Sequence, residues 1–255
     1  MGKQEPAENT DAAKKKGTNH NAIIALILIL VGLGVLLYPV VATQWNNYNQ
    51  SRAAEEYAKL EKQAPPEVLH TAWEEAQAYN AGLGQISIGD AWTTTDNEDS
   101  PEYQRYRQYL SVLSETDAMG RIVIPSIDSD LPIYHGTSEK ALSRGAGHLY
   151  GTDLPVGGVG DGEGRHAALS AHTGLQNATL WDNLTKVKKG DAFYIAAGGE
   201  KLKYEVHDIR VVEPADTSLL HREPGQDLVT LITCTPYGVN THRLLVTGHR
   251  VPMDP

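Results

Sequence analysis

The chain has 255 residues, 40% hydrophobic and 21% charged, enough for one ordinary domain with additions or two small ones. Its formal net charge of -10 argues against nucleic acid as a partner, because phosphate binding needs clustered Lys and Arg. One cysteine excludes an intramolecular disulfide and a cysteine-rich zinc site, so stability must come from core packing.

Residues 1–20 are polar and are expected to lack fixed structure. Ala22 to Val41, AIIALILILVGLGVLLYPVV, carries no charge and is long enough to cover a hydrocarbon core of about 30 Å. Lys14, Lys15 and Lys16 precede it, and the positive-inside rule then keeps the N-terminus in the cytoplasm. A cleaved signal peptide would have a shorter apolar region of ~7–15 residues, so an uncleaved anchor is expected. The remainder would face outside with an acidic, soluble surface.

Residues 51–63, SRAAEEYAKLEKQ, combine strong helix formers with pairable charges, and Pro65-Pro66 breaks the run. EVLHTAWEEAQAYNAGL then shows apolar residues at helical spacing and ends at Gly82. After a loop, Ser100-Pro101 signals an N-cap and first turn for a helix through about Leu113. Beyond Gly120 the texture changes to short β-type runs between Gly, Pro and Asp: RIVIPSI, DLPIYHG, RHAALSAH, DAFYIAA, KLKYEVHDIRVVE, DLVTLITC and HRLLVTGHRV. SEKALSRG and NATLWDNL read as short helices or turns between them.

The lone Cys234 ends the apolar strand VTLIT. On composition alone a lone cysteine is a buried small hydrophobe unless a histidine can be brought beside it. Arg243 follows nine residues later, past the Pro236-Tyr237-Gly238 turn, where a hairpin would return it toward the thiol. His172 ends another strand, AALSAH, but pattern alone does not select it from ten histidines. His242 alternates with Arg243 and should point to the opposite strand face. His20 falls on the cytoplasmic side and His70 on the helical segment. His135, His148, His166, His207, His221 and His249 read as surface or packing residues.

TLITC (Thr230–Cys234) resembles the TLxTC signature of sortases, with Arg243 at the matching arginine of the next strand. AHTG (Ala171–Gly174) resembles the segment around their catalytic histidine. Leu131–Gly158, LPIYHGTSEKALSRGAGHLYGTDLPVGG, and CTPYGVNTHRLLVTGHR are similar to class C sortases, the pilin-polymerising group. The resemblance covers roughly Tyr79 to Val251. It implies a mainly β fold: a closed sortase-type β-barrel with short helices, preceded by a helical stalk and an N-terminal transmembrane helix. The expected organisation is a cytoplasmic tail over 1–21, an anchor over 22–42, a helical stalk and lid region over 43–118, and the catalytic barrel over 119–255.

The same resemblance implies transpeptidation at an LPxTG-like sorting signal on a Gram-positive cell surface. Cys234 would attack the Thr–Gly carbonyl, His172 would exchange protons with the leaving and incoming amines, and Arg243 would bind substrate or stabilise the oxyanion. The acceptor would be a lysine amine on another pilin subunit. No acidic third member, cofactor or metal is implied. Class C sortases commonly carry a lid with an Asp-Pro-aromatic motif; Asp90 and Trp92 match it, while Ala91 replaces the proline and should leave the lid looser. Many members also carry a second membrane segment after the barrel; the residues up to Pro255 hold none, so either the chain continues or one N-terminal anchor suffices. Two other functions fit the sequence: attachment of surface proteins to the cell wall, and a binding protein on an inactive sortase fold. Retention of Cys234, His172 and Arg243 weighs against the last.

Overall fold

The computed structural model describes residues 20–84, 100–158 and 162–253. The chain forms two units, Met1–Pro39 and Val40–Pro255. In the first, the described residues belong to helix α1 (His20–Gln63), which continues into the second. Its apolar window has none of its side chains buried, and Leu28 and Leu36 are 65% and 75% exposed. So much bare aliphatic surface is unfavourable in water at about 25 cal/mol per Å², and is consistent with a single-pass membrane anchor.

In the second unit, α1 turns one face inward, burying Gln50, Ala54 and Tyr57 at helical spacing. It ends at Gln63, before the Pro65-Pro66 pair, as the breaker residues predict. Helix α2 (Pro66–Gly82) buries Ala72, Ala76 and Asn80 one turn apart. Helix α3 (Pro101–Ser111) is capped by Ser100, whose hydroxyl accepts from the Tyr103 N–H at 3.1 Å. It stops at Ser111, two residues short of the expected end, because Val112 is extended and Leu113 is left-handed at φ 55°.

Eight strands follow: β1 (Gly120–Ile124), β2 (Ser129–His135), β3 (Ala146–His148), β4 (Arg165–Ser170), β5 (Ala192–Ala197), β6 (Glu200–Val212), β7 (Asp227–Thr235) and β8 (His242–Val251). They close into a barrel in the order β1-β2-β3-β4-β7-β8-β6-β5. The β2–β3 and β4–β7 pairs are parallel and the rest antiparallel. A short helix α4 (Glu139–Leu142) lies between β2 and β3. Seven strands match β-type runs in the sequence. The eighth, β3, lies in AGH, where no alternation marks it; a Cβ at Gly147 would collide with the Gly136 carbonyl, so this close strand approach needs glycine.

The core explains the patterns. β5 alternates half-buried and buried residues, as a strand with one inward face should. β7 is buried continuously from Asp227 to Thr233, because its outer face is also covered: Ile232 clusters with Ala168, Leu245 and Leu220 of the short 3-10 helix Ser218–Leu220. Inside, Phe193 stacks on Tyr204 with ring centroids 5.4 Å apart.

The helices are fastened to the barrel by buried polar groups. The Asn80 side chain donates to the Leu154 carbonyl at 3.0 Å and accepts from the Leu154 N–H at 2.7 Å. Arg222 forks onto both oxygens of buried Asp153, at 2.9 and 2.6 Å, and also donates to the Asn80 carbonyl. His148 is wholly buried: its Nδ1 faces the Tyr109 hydroxyl at 3.0 Å and its Nε2 the Asp153 carbonyl at 2.8 Å. A carbonyl only accepts, so Nε2 carries a proton.

Burial lowers the His148 pKa to about 4. The unfolded chain therefore binds one more proton than the folded chain between about pH 6.5 and pH 4, and stability falls as pH falls through that window. The expected loss from this residue is about 3 kcal/mol. Denaturant titration of the wild type and His148→Gln at several pH values checks it: the variant should lose correspondingly less stability on acidification.

Candidate active site

Cys234 is the penultimate residue of β7 and a free, half-buried thiol. The β7–β8 hairpin pairs it directly with Arg243, while Thr235 pairs with His242. Directly paired residues project from the same face, so thiol and guanidinium share one side of the sheet and His242 takes the other, where it meets Glu213 at 3.3 Å. The guanidinium rests against its own loop, with Nη1 3.2 Å from the His242 carbonyl.

On the other side of β7 runs β4, parallel, with Ser170 opposite Ile232. That register continues past the end of β4: the Ala171 N–H donates to the Ile232 carbonyl at 3.1 Å, and the Thr233 hydroxyl donates to the Ala171 carbonyl at 2.8 Å. One residue further, it brings His172 level with Cys234. The turn after His172 is built rigidly. Asp182 accepts from the Thr173 hydroxyl at 3.1 Å and the Gly174 N–H at 2.7 Å, and buried Trp181 donates its backbone N–H to the His172 carbonyl. The structure thus brings three of the five expected site residues to one rim of the barrel. Asp90 and Trp92 lie outside the described residues.

Sequence reasoning missed a fourth group. Glu139, the first residue of α4, sets Oε2 3.2 Å from His172 Nε2. Ser138 caps this short helix by accepting from the Ala141 N–H. The local signal was the Ser-Glu start of SEKALSRG; nothing in the linear sequence ties it to a histidine 33 residues away. His135, His148 and His166 belong to packing, as expected, but are held deep: burial lowers the pKa of each. Among the described residues, no group of three or more His, Cys, Asp or Glu is placed to hold a metal ion.

A closed barrel whose rim holds a lone thiol between an arginine and an imidazole has the parts of a cysteine acyltransferase. The Sortase domain model matches residues 122–251, and the chain belongs to the sortase family, whose members are cysteine transpeptidases. Among solved structures, sortase C-1 from Actinomyces oris is 52% identical, with a TM-score of 0.66, covering 73% of this chain and 99% of that one. The pilus-related sortase C of Group B Streptococcus is 39% identical, with a TM-score of 0.65, covering 78% of this chain and 96% of that one. Sortase A of Bacillus anthracis is 30% identical over 139 residues, 54% of this chain and 62% of that protein.

Proposed function

We propose that this chain is a membrane-anchored cysteine transpeptidase that cleaves an LPxTG-like sorting signal between Thr and Gly and joins pilin subunits through lysine isopeptide bonds. The observation that carries the reading is the meeting of Cys234, Arg243 and His172 at one barrel rim through two independent strand registers. The likeness to a sortase C-1 and to a pilus-related sortase C supports the pilin-joining form.

In this reading the Cys234 thiol gives its proton to His172, its sulfur attacks the threonyl carbonyl carbon, and Arg243 steadies the charge gathering on the carbonyl oxygen. The C–N bond breaks, and the leaving glycyl amine takes its proton from the imidazolium of His172. The thioester is then attacked by a lysine amine, the C–S bond breaks, and His172 removes the amine proton. Asp90 and Trp92 are proposed as the lid over this groove, and α1 as an anchor with the N-terminus in the cytoplasm. The organisation into tail, anchor, stalk with lid, and barrel belongs to the same proposal.

Incubating the full chain in detergent with a purified pilin bearing such a signal tests it: lysine-linked ladders are expected. Transfer only to a peptidoglycan-type amine would favour wall attachment, and no acyl transfer at all would favour an inactive binding fold. Arg243→Lys tests the role of the guanidinium. Lysine keeps the charge but loses the planar fork, so kcat/KM for peptide cleavage should fall about 10- to 100-fold with the fold intact. An unchanged rate would remove Arg243 from the chemistry.

A further inference from the structure

Helix α1 does more than lead into the barrel. Immediately after the apolar run, one of its faces binds the loop that follows His172. The Thr43 hydroxyl donates to the Gln176 carbonyl at 3.3 Å, and the Asn46 amide donates to the Asn177 carbonyl at 2.7 Å. Asn47 makes a reciprocal pair with Thr179, donating to its hydroxyl at 2.8 Å and accepting from its backbone N–H at 3.0 Å. Residues i, i+3 and i+4 of a helix lie on one face, so these bonds form a single contact. The step from Thr43 to Asn47 is only about 6 Å along the helix axis.

Val40 and Val41, the last residues of the apolar run, belong to the same unit as the barrel. Whatever direction the rest of that run takes, the boundary between apolar chain and water falls within about a turn of the His172 loop. The β7–β8 loop lies at the same end: a Cβ on Gly174 would sit 3.5 Å from the Gly238 nitrogen.

Three segments therefore meet at the rim that holds Cys234: Thr43–Gln50 (TQWNNYNQ), Thr173–Trp181 (TGLQNATLW) and Thr235–Thr241 (TPYGVNT). None contains Asp, Glu, Lys or Arg, in a chain where 21% of residues are charged. Yet this end is not dry core. Trp45, Tyr48, Tyr237 and Val239 stand 64%, 59%, 64% and 65% exposed. Exposed Trp and Tyr among uncharged amides and hydroxyls are the side chains that favour the headgroup level of a bilayer. The overall acidity of the chain does not oppose this, since the spanning helix supplies attachment and these three segments present no charged side chain to the lipid.

We propose that these three uncharged segments of the rim rest on the headgroup layer of the membrane entered by α1, so that Cys234 works at the bilayer surface. The β7–β8 loop, through Tyr237 and Val239, makes the lipid contact. A signal would then be cut while still close to the membrane, and a site turned toward the bilayer would take substrates presented by that membrane in preference to soluble ones. The proposal rests on the anchor reading and adds an orientation to it.

Depth-dependent quenching tests it on the full chain in phosphatidylcholine–phosphatidylglycerol vesicles. In a Cys234→Ala background, Tyr237→Cys or Gln226→Cys carries a bimane probe, and headgroup-nitroxide lipid is the quencher. Gln226 is exposed just before β7 and Tyr237 just after it, so the two report opposite ends of a nine-residue strand of about 30 Å. Quenching at Tyr237→Cys should be at least about threefold stronger than at Gln226→Cys, because nitroxide quenching is short-ranged and the strand holds the two probes about 30 Å apart. Val239→Cys supplies the rim probe if Tyr237→Cys does not fold. Flotation separates the two ideas. A chain that does not float with vesicles overturns the anchor and this orientation with it; a chain that floats but is quenched equally at both ends overturns the orientation alone.

Discussion

Cys234→Ala should abolish capture of an LPxTG-type peptide as a thioester and lower cleavage by at least about 10⁴-fold. The magnitude follows from what is lost: covalent catalysis splits one difficult acyl transfer into two easier steps, and no other thiol exists to replace the nucleophile. Arg243, the proposed partner of the oxyanion, would remain, which leaves a residual advantage over water but no acyl-enzyme. The fold should survive, because Cys234 lies at a strand end, half exposed, while the apolar residues that hold β7 run from Leu228 to Ile232. Intact mass after mixing with peptide gives the readout: an acyl adduct on the wild type, none on the variant, and unchanged unfolding midpoints for both. Cleavage by the variant at the wild-type rate would remove Cys234 from the mechanism.

The sequence carried the parts better than their meeting. Strand runs with β-branched residues, the Pro65-Pro66 break, the Gly82 stop and the Ser100 cap are local signals, and each appears in the fold where local chemistry places it. Closure of the barrel is different. It depends on β1 pairing with β5, from Arg121 opposite Ala196 to Val123 opposite Tyr194, and no local pattern records that contact. β3 escaped for a related reason: its three residues are selected by close approach to Gly136 and not by alternation.

The candidate site divides the same way. Arg243 was legible because a hairpin register is set by nearby residues. His172 was not separable from nine other histidines by pattern, since its place depends on a parallel register between strands more than fifty residues apart; only the sortase resemblance singled it out. Glu139 reaches the imidazole from yet another element and left no trace in the linear spacing. The three uncharged rim segments show the opposite case. They are plain in the sequence, but their absence of charge has meaning only once they share one end of the barrel.

His172→Gln should lower kcat for peptide cleavage by about 10²- to 10⁴-fold while changing KM little, the range expected when a positioned acid–base is removed. Glutamine keeps a polar side chain of similar reach, so Glu139 and the turn held by Asp182 retain their surroundings. In the proposed mechanism one imidazole both protonates the leaving amine and deprotonates the incoming one, so the loss should fall on both half-reactions. Glu139 provides the internal control. Its carboxylate is 78% exposed, and an exposed pair of this kind contributes on the order of 0.2–1 kcal/mol. Glu139→Gln alone should therefore cost only a few-fold in kcat. If Glu139 acts by orienting the imidazole, the same substitution should cost nothing further once His172 is Gln, and the double-mutant cycle will show strong coupling. Equal losses in both backgrounds would mean that Glu139 acts elsewhere, and kcat undiminished in His172→Gln would mean that another group moves the proton.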